Sequence, residues 1–303
     1  MGFVIATVNM KGGVGKTTLT VNLATCLAKN HRKRVLVVDL DTQISATLSL
    51  MIPQEFAKSR RTNRTLSRLI AKVINPKSQT RLTIKDIIAP QICQVEGLDL
   101  LPGDIELYDE YLVSEMLHEQ AVIETETKFG EIWNRFEVLL IKTVLEPVIN
   151  DYDFILLDCA PGYNLLTRSG IVASNFYLLP ARPEPLSIVG IQLLERRIAK
   201  LKESHKYNGT LNLQLLGIAF ILSGGNLLGR YYNQVMKRVN DDFTPNQLFN
   251  TRIPMDVNVA KAIDCFQPVV IATPNCSGAK AFTKLTEEFL EKLEVLKDNP
   301  TIS

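Results

Sequence analysis

The sequence predicts one α/β domain spanning residues 1–303, built on a single doubly wound, mainly parallel sheet flanked by helices. Three observations lead there. Runs at residues 3–8, 34–41, 153–158, 175–181 and 211–222 are rich in Val, Ile, Leu and Phe without the alternation of a half-exposed strand. They read as strands buried on both faces. Segments with helical periodicity separate them, and strands alternating with helices build parallel sheets. Two runs end on aspartates and the first runs into a glycine-rich turn, at the strand end where such sheets hold their ligands.

In chain order, the strand at residues 3–8 leads into Asn9-Met10-Lys11-Gly12-Gly13-Val14-Gly15-Lys16-Thr17-Thr18, and a helix is predicted over 19–29 from Leu19, Leu23 and Leu27. A strand, glycine-rich loop and helix in this order aim backbone N–H groups and a helix dipole at one anion. Glycine lets the backbone approach phosphate oxygens that a Cβ would hold off. Lys16 supplies a point charge for β- and γ-phosphates, and the Thr17 hydroxyl is placed to ligate Mg²⁺. The usual phosphate-loop pattern asks for glycine where Met10 stands, and a second lysine, Lys11, follows it.

Lys11-Gly12-Gly13-Val14-Gly15-Lys16-Thr17-Thr18 resembles the deviant Walker A box of the ParA/MinD family of ATPases. The resemblance implies that residues 11–18 bind ATP and that two chains sandwich two nucleotides. It further implies that Lys11 reaches across the interface to the partner's nucleotide, making dimerisation depend on ATP. There Lys11 would neutralise developing charge as an arginine finger does.

The strand at 34–41 ends in Asp39-Leu40-Asp41. By resemblance, Asp41 is the aspartate that orients the attacking water and stands near the metal, although Thr42 replaces the family's usual proline. Asp39 points to the other side of a regular strand, for a structural role or a contact with the metal shell; helix capping by both aspartates is the plain alternative. Residues 50–96 read as less regular. Lys58, Arg60, Arg61, Arg64, Arg68 and Lys72 cluster there with Leu66, Leu69, Ile70 and Val73 between them, as a solvated helix face or an interaction surface. Residues 97–103 resemble the family's short strand and turn. Residues 104–150 read as peripheral helices, with Trp133 in a packing role.

Asp153-Phe154-Ile155-Leu156-Leu157-Asp158 is a Walker B strand whose terminal carboxylate, Asp158, belongs to the Mg²⁺ shell, usually through water. Thr17, Asp41 and Asp158 are thus the expected metal surroundings. Residues 159–162 resemble the family's switch segment near the γ-phosphate, with Ala160 where many relatives have proline. After the strand at 175–181 comes the turn Arg182-Pro183-Glu184-Pro185, then a helix expected over 188–202 and a strand at 211–222. Arg196, Arg197, Lys200, Lys202, Arg230, Lys237 and Arg238 lie in the half of the chain where ParA-type relatives make sequence-independent phosphate contacts with DNA. Ile253-Pro254-Met255-Asp256-Val257 resembles the loop beside the adenine, with Met255 in place of a common arginine. Pro254 and Met255 are the expected adenine neighbours. A final helix is expected to about residue 296.

Composition narrows the remaining possibilities. The chain is 46% hydrophobic and 22% charged with net charge +2, too near neutral to argue for a polyanion partner alone. Its five scattered cysteines form no C-x-x-C pair, so a disulfide framework or metal cluster is not expected and a reducing cytosol fits. This also weighs against an iron–sulfur electron carrier. No run reaches the roughly 18 apolar residues of a membrane span. Residues 289–300 mix charges, unlike the basic amphipathic helix that a MinD-like membrane switch would need. Lys11 stands too early to leave room ahead of it for a helix-turn-helix domain. The resemblance therefore implies a cytoplasmic, nucleoid-associated homodimeric switch using ATP and Mg²⁺. Its expected partners are non-specific DNA and a ParB-like or small adaptor protein that stimulates hydrolysis, with no membrane. The resemblance leaves the cargo open among a carboxysome, plasmid, chromosome origin or chemosensory cluster. The departures at Thr42, Ala160, residues 224–230 and Met255 look like the carboxysome-positioning branch, the maintenance of carboxysome distribution A proteins.

Overall fold

The computed structural model describes residues 2–75, 82–123, 128–205, 211–223 and 237–298. Strands β1 (Phe3–Thr7), β2 (Val35–Asp39), β3 (Leu98–Leu101), β4 (Phe154–Asp158), β5 (Phe176–Ala181), β6 (Gln214–Ser223) and β7 (Ile253–Pro254) form one sheet in the order β3-β2-β4-β1-β5-β6-β7. Every pairing between these strands is parallel. The chain leaves β1 toward one edge, returns at β4, and then winds toward the other edge. That reversal of direction beside β1 is the doubly wound topology predicted from the sequence.

Alternation along each strand sends side chains to two cores. Val4, Ala6, Leu36, Val38, Ile155 and Leu157 face one side. There they meet α4 (Leu66–Ile74), α6 (Glu110–Ile123), α7 (Phe129–Leu145), α8 (Leu165–Ala173) and α9 (Pro185–Ser204). Ile5, Val35, Val37, Phe154, Leu156 and Leu178 face the other side. That side is covered by α1 (Lys16–His31), α2 (Ser45–Leu50), Phe56 of α3 (Pro53–Arg61), α10 (Val257–Asp264), α11 (Val269–Ala272) and α12 (Ser277–Asp298). Each fully buried aliphatic or aromatic side chain contributes about 1.5–3 kcal/mol. Burial on both faces is therefore what holds strands of only five residues in place.

Element boundaries differ from the sequence reading where backbone geometry outweighs periodicity. Helix α1 starts at Lys16, three residues early, because Gly15 at φ 92° caps it from the left-handed region. Helix α9 starts at Pro185, a residue suited to the first helical position. The stretch read as less regular, 50–96, contains α4, where Leu66, Leu69, Ile70 and Val73 show helical spacing, and also α3 and the single turn α5 (Ile84–Ile87). The loop expected at 253–257 begins as the edge strand β7. Trp133 is partly buried against the first core, as expected for a packing residue. Residues 224–230, where departures from relatives were noted, lie outside the described residues, as does Arg230.

Candidate functional site

Because all seven strands run the same way, their carboxyl ends share one edge of the sheet. Thr7 pairs in register with Asp158, and Asp158 with Asp39, so β1, β4 and β2 end side by side. The glycine-rich loop leaves the sheet at that point. Asn9 anchors it: its Nδ2 donates to the Pro180 carbonyl at 2.8 Å, and its Oδ1 accepts the Lys11 N–H at 2.9 Å. Gly13 (φ 69°) and Gly15 (φ 92°) take backbone conformations that side chains resist. A Cβ on Gly15 would also stand 2.9 Å from Ile221 Cγ2. Val14 is buried, whereas Gly12 is exposed with open space around it.

Lys16 folds back over the loop and donates from Nζ to the Lys11 carbonyl at 3.2 Å. Its pKa is lowered by burial, against the pull of the Asp158 charge. The Thr17 hydroxyl donates to Asp158 Oδ2 at 2.7 Å, and the Thr20 hydroxyl to Asp158 Oδ1 at 3.1 Å. Burial, then the neighbouring Asp39 charge, pushes the Asp158 carboxyl up. Thr18 lies in the first turn of α1 beside these groups, and its carbonyl accepts from the Asn22 side chain. Gly162 donates its N–H to the Met10 carbonyl at 3.1 Å, which ties the segment after β4 to the loop.

Asp39 and Asp41 separate in role. Asp39 is fully buried, and its carboxylate accepts the Thr47 N–H and hydroxyl, both at 2.8 Å, and the Asp41 N–H at 3.1 Å. Burial raises its pKa. It pins α2 to the end of β2, while the helix's cap position is held by Ile44 at φ 50°. Asp41 is 8% exposed and accepts the Gln43 N–H at 2.9 Å. Its second oxygen remains at the rim of the site. Lys11 extends outward, with its side chain 44% exposed, and Nζ lies 2.8 Å from Glu184 Oε2. Pro254 closes β7 and Met255 is 69% exposed beyond it, three strands from β1 on the same edge.

Similarity to known proteins agrees with this geometry. Residues 2–213 match the family described as an AAA domain. A ParA family protein of Chlamydia muridarum is 28% identical over 286 residues, covering 94% of this chain and 96% of that one. The sporulation initiation inhibitor protein Soj of Bacillus subtilis is 30% identical over 288 residues, covering 95% and 98%. The chain belongs to the ParA/MinD family of ATPases. Among solved folds, cobyrinic acid a,c-diamide synthase of Mycobacterium smegmatis, with bound ATP analogue and magnesium, superposes with a TM-score of 0.70. It is 22% identical and covers 97% of this chain and 96% of its own.

For a ParA/MinD chain, the structure gathers the expected loop residues 11–18, Asp41 and Asp158 at one point, and leaves Pro254 and Met255 farther along the edge. Sequence reasoning missed four supporting residues: Asn9 as the loop's anchor, Thr20 as a second donor to Asp158, Thr47 as the partner of Asp39, and Glu184 as the partner of Lys11. Thr20 sits one helical turn after Lys16 and so was within reach of a periodicity argument. Glu184 was visible only as part of a turn. Cys159, fully buried, has its thiol pushed up in pKa by burial and by Asp158. A cleft of about 610 Å³ opens at the far end of α1, lined by Lys29, Arg32, Lys33 and Arg34 among others. No loop residue lines it. No described helix is long and apolar enough to cross a membrane.

Proposed function

We propose that this chain is an ATP-hydrolysing positioning switch. Its ATP-bound homodimer is held on DNA without sequence preference, and a ParB-like or small adaptor partner on the cargo stimulates hydrolysis and release. The supporting observation is the contact between the Thr17 hydroxyl and Asp158 at 2.7 Å, directly below a loop that offers Lys16 and backbone N–H groups. A hydroxyl and carboxylates are hard oxygen donors, the set suited to Mg²⁺, which keeps several waters and takes its remaining ligands from substrate phosphates. Thr17 and Asp158 would hold that ion, with Asp41 near it. When bound, Mg²⁺ neutralises charge on the β- and γ-phosphates.

The chain's own residues do the rest. The loop's N–H groups and Lys16 hold the phosphate tail. Asp41, with one oxygen tied to Gln43, orients water in line with the γ-phosphate. Lys11 leaves Glu184 and reaches the nucleotide of the second chain, stabilising charge that develops there. Pro254 and Met255 flank the adenine, with backbone groups of this loop available to the base. Such a switch works in the cytoplasm on the nucleoid. Its cargo, whether carboxysome, plasmid or chromosome, is set by the partner that binds it.

Asp41→Ala tests the reading. Mass measured by light scattering should show a dimer with MgATP that persists for hours in the variant, while the wild type returns to monomer as ATP is consumed. A variant that stays monomeric with MgATP removes Asp41 from the catalytic role. Retention on anionic lipid vesicles with none on random-sequence DNA would favour a membrane switch instead.

A further inference from the structure

Residues 53–75 hold Lys58, Arg60, Arg61, Arg64, Arg68 and Lys72 against Glu55 alone, a net +5 in a chain whose total is +2. Two of the six are engaged. Arg60 Nε lies 3.1 Å from Asp104 Oδ1, and Arg68 also has a partner. Asp104, 5% exposed, accepts the Thr65 hydroxyl at 2.7 Å and the Ser67 hydroxyl at 3.2 Å as well. This clamp fixes where α3 ends and α4 begins.

Lys58, Arg61 and Arg64 are different. All three are exposed, stand three residues apart, and form no ion pair among the described residues. Residues three apart on a helix share a face, and the Arg64 N–H, donating to the Ser59 carbonyl at 2.8 Å, folds that residue back against the last turn of α3. Glu55 stands three residues before Lys58 on the same helix, and Asp86 also feels this side, its carboxyl lowered chiefly by Thr83 and slightly by Arg64. One oxygen of Asp86, Oδ2, already accepts both the Thr83 N–H and the Thr83 hydroxyl.

We infer that Lys58, Arg61 and Arg64, at the end of α3, form the surface that docks the phosphate backbone of duplex DNA. This deepens the DNA reading under the proposed function and rests on it. Point charges on long stems neutralise phosphates without reading base edges. A lipid surface would want an exposed apolar wedge among the cations, but the bulky residue of α3, Phe56, is only 6% exposed and belongs to the core. The cationic side of α9 is more committed. Arg197 stacks over Tyr163 at 5.2 Å, and Glu195 and Glu203 share the helix with Arg196 and Lys200.

The test measures the affinity of the full chain, with MgATP, for random-sequence duplex DNA across a salt series. Each neutralised phosphate adds about −0.9 to the slope of log affinity against log salt. The triple variant Lys58→Ala, Arg61→Ala, Arg64→Ala should be shallower than wild type by about 2 to 3 in slope, at an unchanged thermal midpoint. The triple variant Arg196→Ala, Arg197→Ala, Lys200→Ala should keep the wild-type slope. Should the first triple not fold, the single substitutions Lys58→Ala and Arg61→Ala, each expected to remove about 0.9, carry the test. Wild-type retention with an unchanged slope in the α3 variants overturns this surface and leaves the DNA reading intact. A wild type that binds no duplex with MgATP overturns both.

Discussion

At Gly15 the backbone sits at φ 92°, and a Cβ would meet Ile221 Cγ2 at 2.9 Å, so a side chain there is opposed by its own conformation and by the core. A non-glycine residue in that region costs on the order of 1–3 kcal/mol. Gly12 belongs to the same loop but has neither constraint: its φ is not positive and nothing lies within 4 Å of the built Cβ. Gly15→Ala should therefore lower the thermal midpoint of the nucleotide-free protein by several degrees, and Gly12→Ala should leave it within about 0.5 kcal/mol of wild type. Equal midpoints for the two variants would show that the loop's geometry is not strained in this way. At this scale Lys16, Thr17 and Asp158 were legible in the sequence, because a loop spacing and a strand ending in aspartate place them by local geometry. Glu184 was not, because its contact with Lys11 closes a gap of 173 residues. Thr47 was hidden for a different reason: the left-handed turn at Ile44 that swings it onto Asp39 has no glycine or asparagine to announce it.

Among the elements, the junction of α10 and α12 depends on Asp256. One carboxylate oxygen caps α10 by accepting the Asn258 N–H at 2.9 Å, and the other accepts the Gly278 N–H at 2.9 Å and the Ser277 hydroxyl at 2.8 Å. These donors, Gly278 first, hold the carboxyl well below the usual carboxylate range. Asp256→Asn keeps a capping oxygen but removes the charge and one acceptor, and a negative charge at a helix N-terminus contributes about 0.3–1 kcal/mol. Because folding lowers this pKa, the stabilisation is present above the unfolded value, about 3.9, and fades as pH falls below it. Thermal midpoints of wild type and Asp256→Asn should thus differ most near neutral pH and converge below about pH 4. A gap that does not depend on pH would assign the effect to shape and not to charge. The same scale explains which elements the sequence disclosed. Strands β1, β2 and β4 are apolar up to their last residue because both faces are covered, and that is a signal independent of context. Helix α4 shows in the spacing of Leu66, Leu69, Ile70 and Val73, whereas α3 buries one apolar residue, Phe56, and its charged remainder gives almost no period to detect.

For the whole molecule, the outward course of Lys11 bears on assembly. Its pairing with Glu184 at 2.8 Å joins two side chains that are 44% and 40% exposed. Exposed pairs of this kind contribute about 0–1 kcal/mol. Freeing one lysine in each of two chains then costs at most about 2 kcal/mol, a factor of roughly thirty in the dimer dissociation constant. A lysine that faces a phosphate across a closed, water-poor interface gains far more than it loses here. The two variants should consequently behave unlike one another. Lys11→Ala should abolish MgATP-dependent dimerisation in sedimentation velocity, while Lys16 still permits nucleotide binding to the monomer. Glu184→Gln should keep the dimer, with a dissociation constant within about thirtyfold of wild type, and the difference should shrink as salt screens the pair. If Lys11→Ala dimerises with MgATP as the wild type does, the second lysine of the loop has no role across the interface, and Glu184 is its lasting partner.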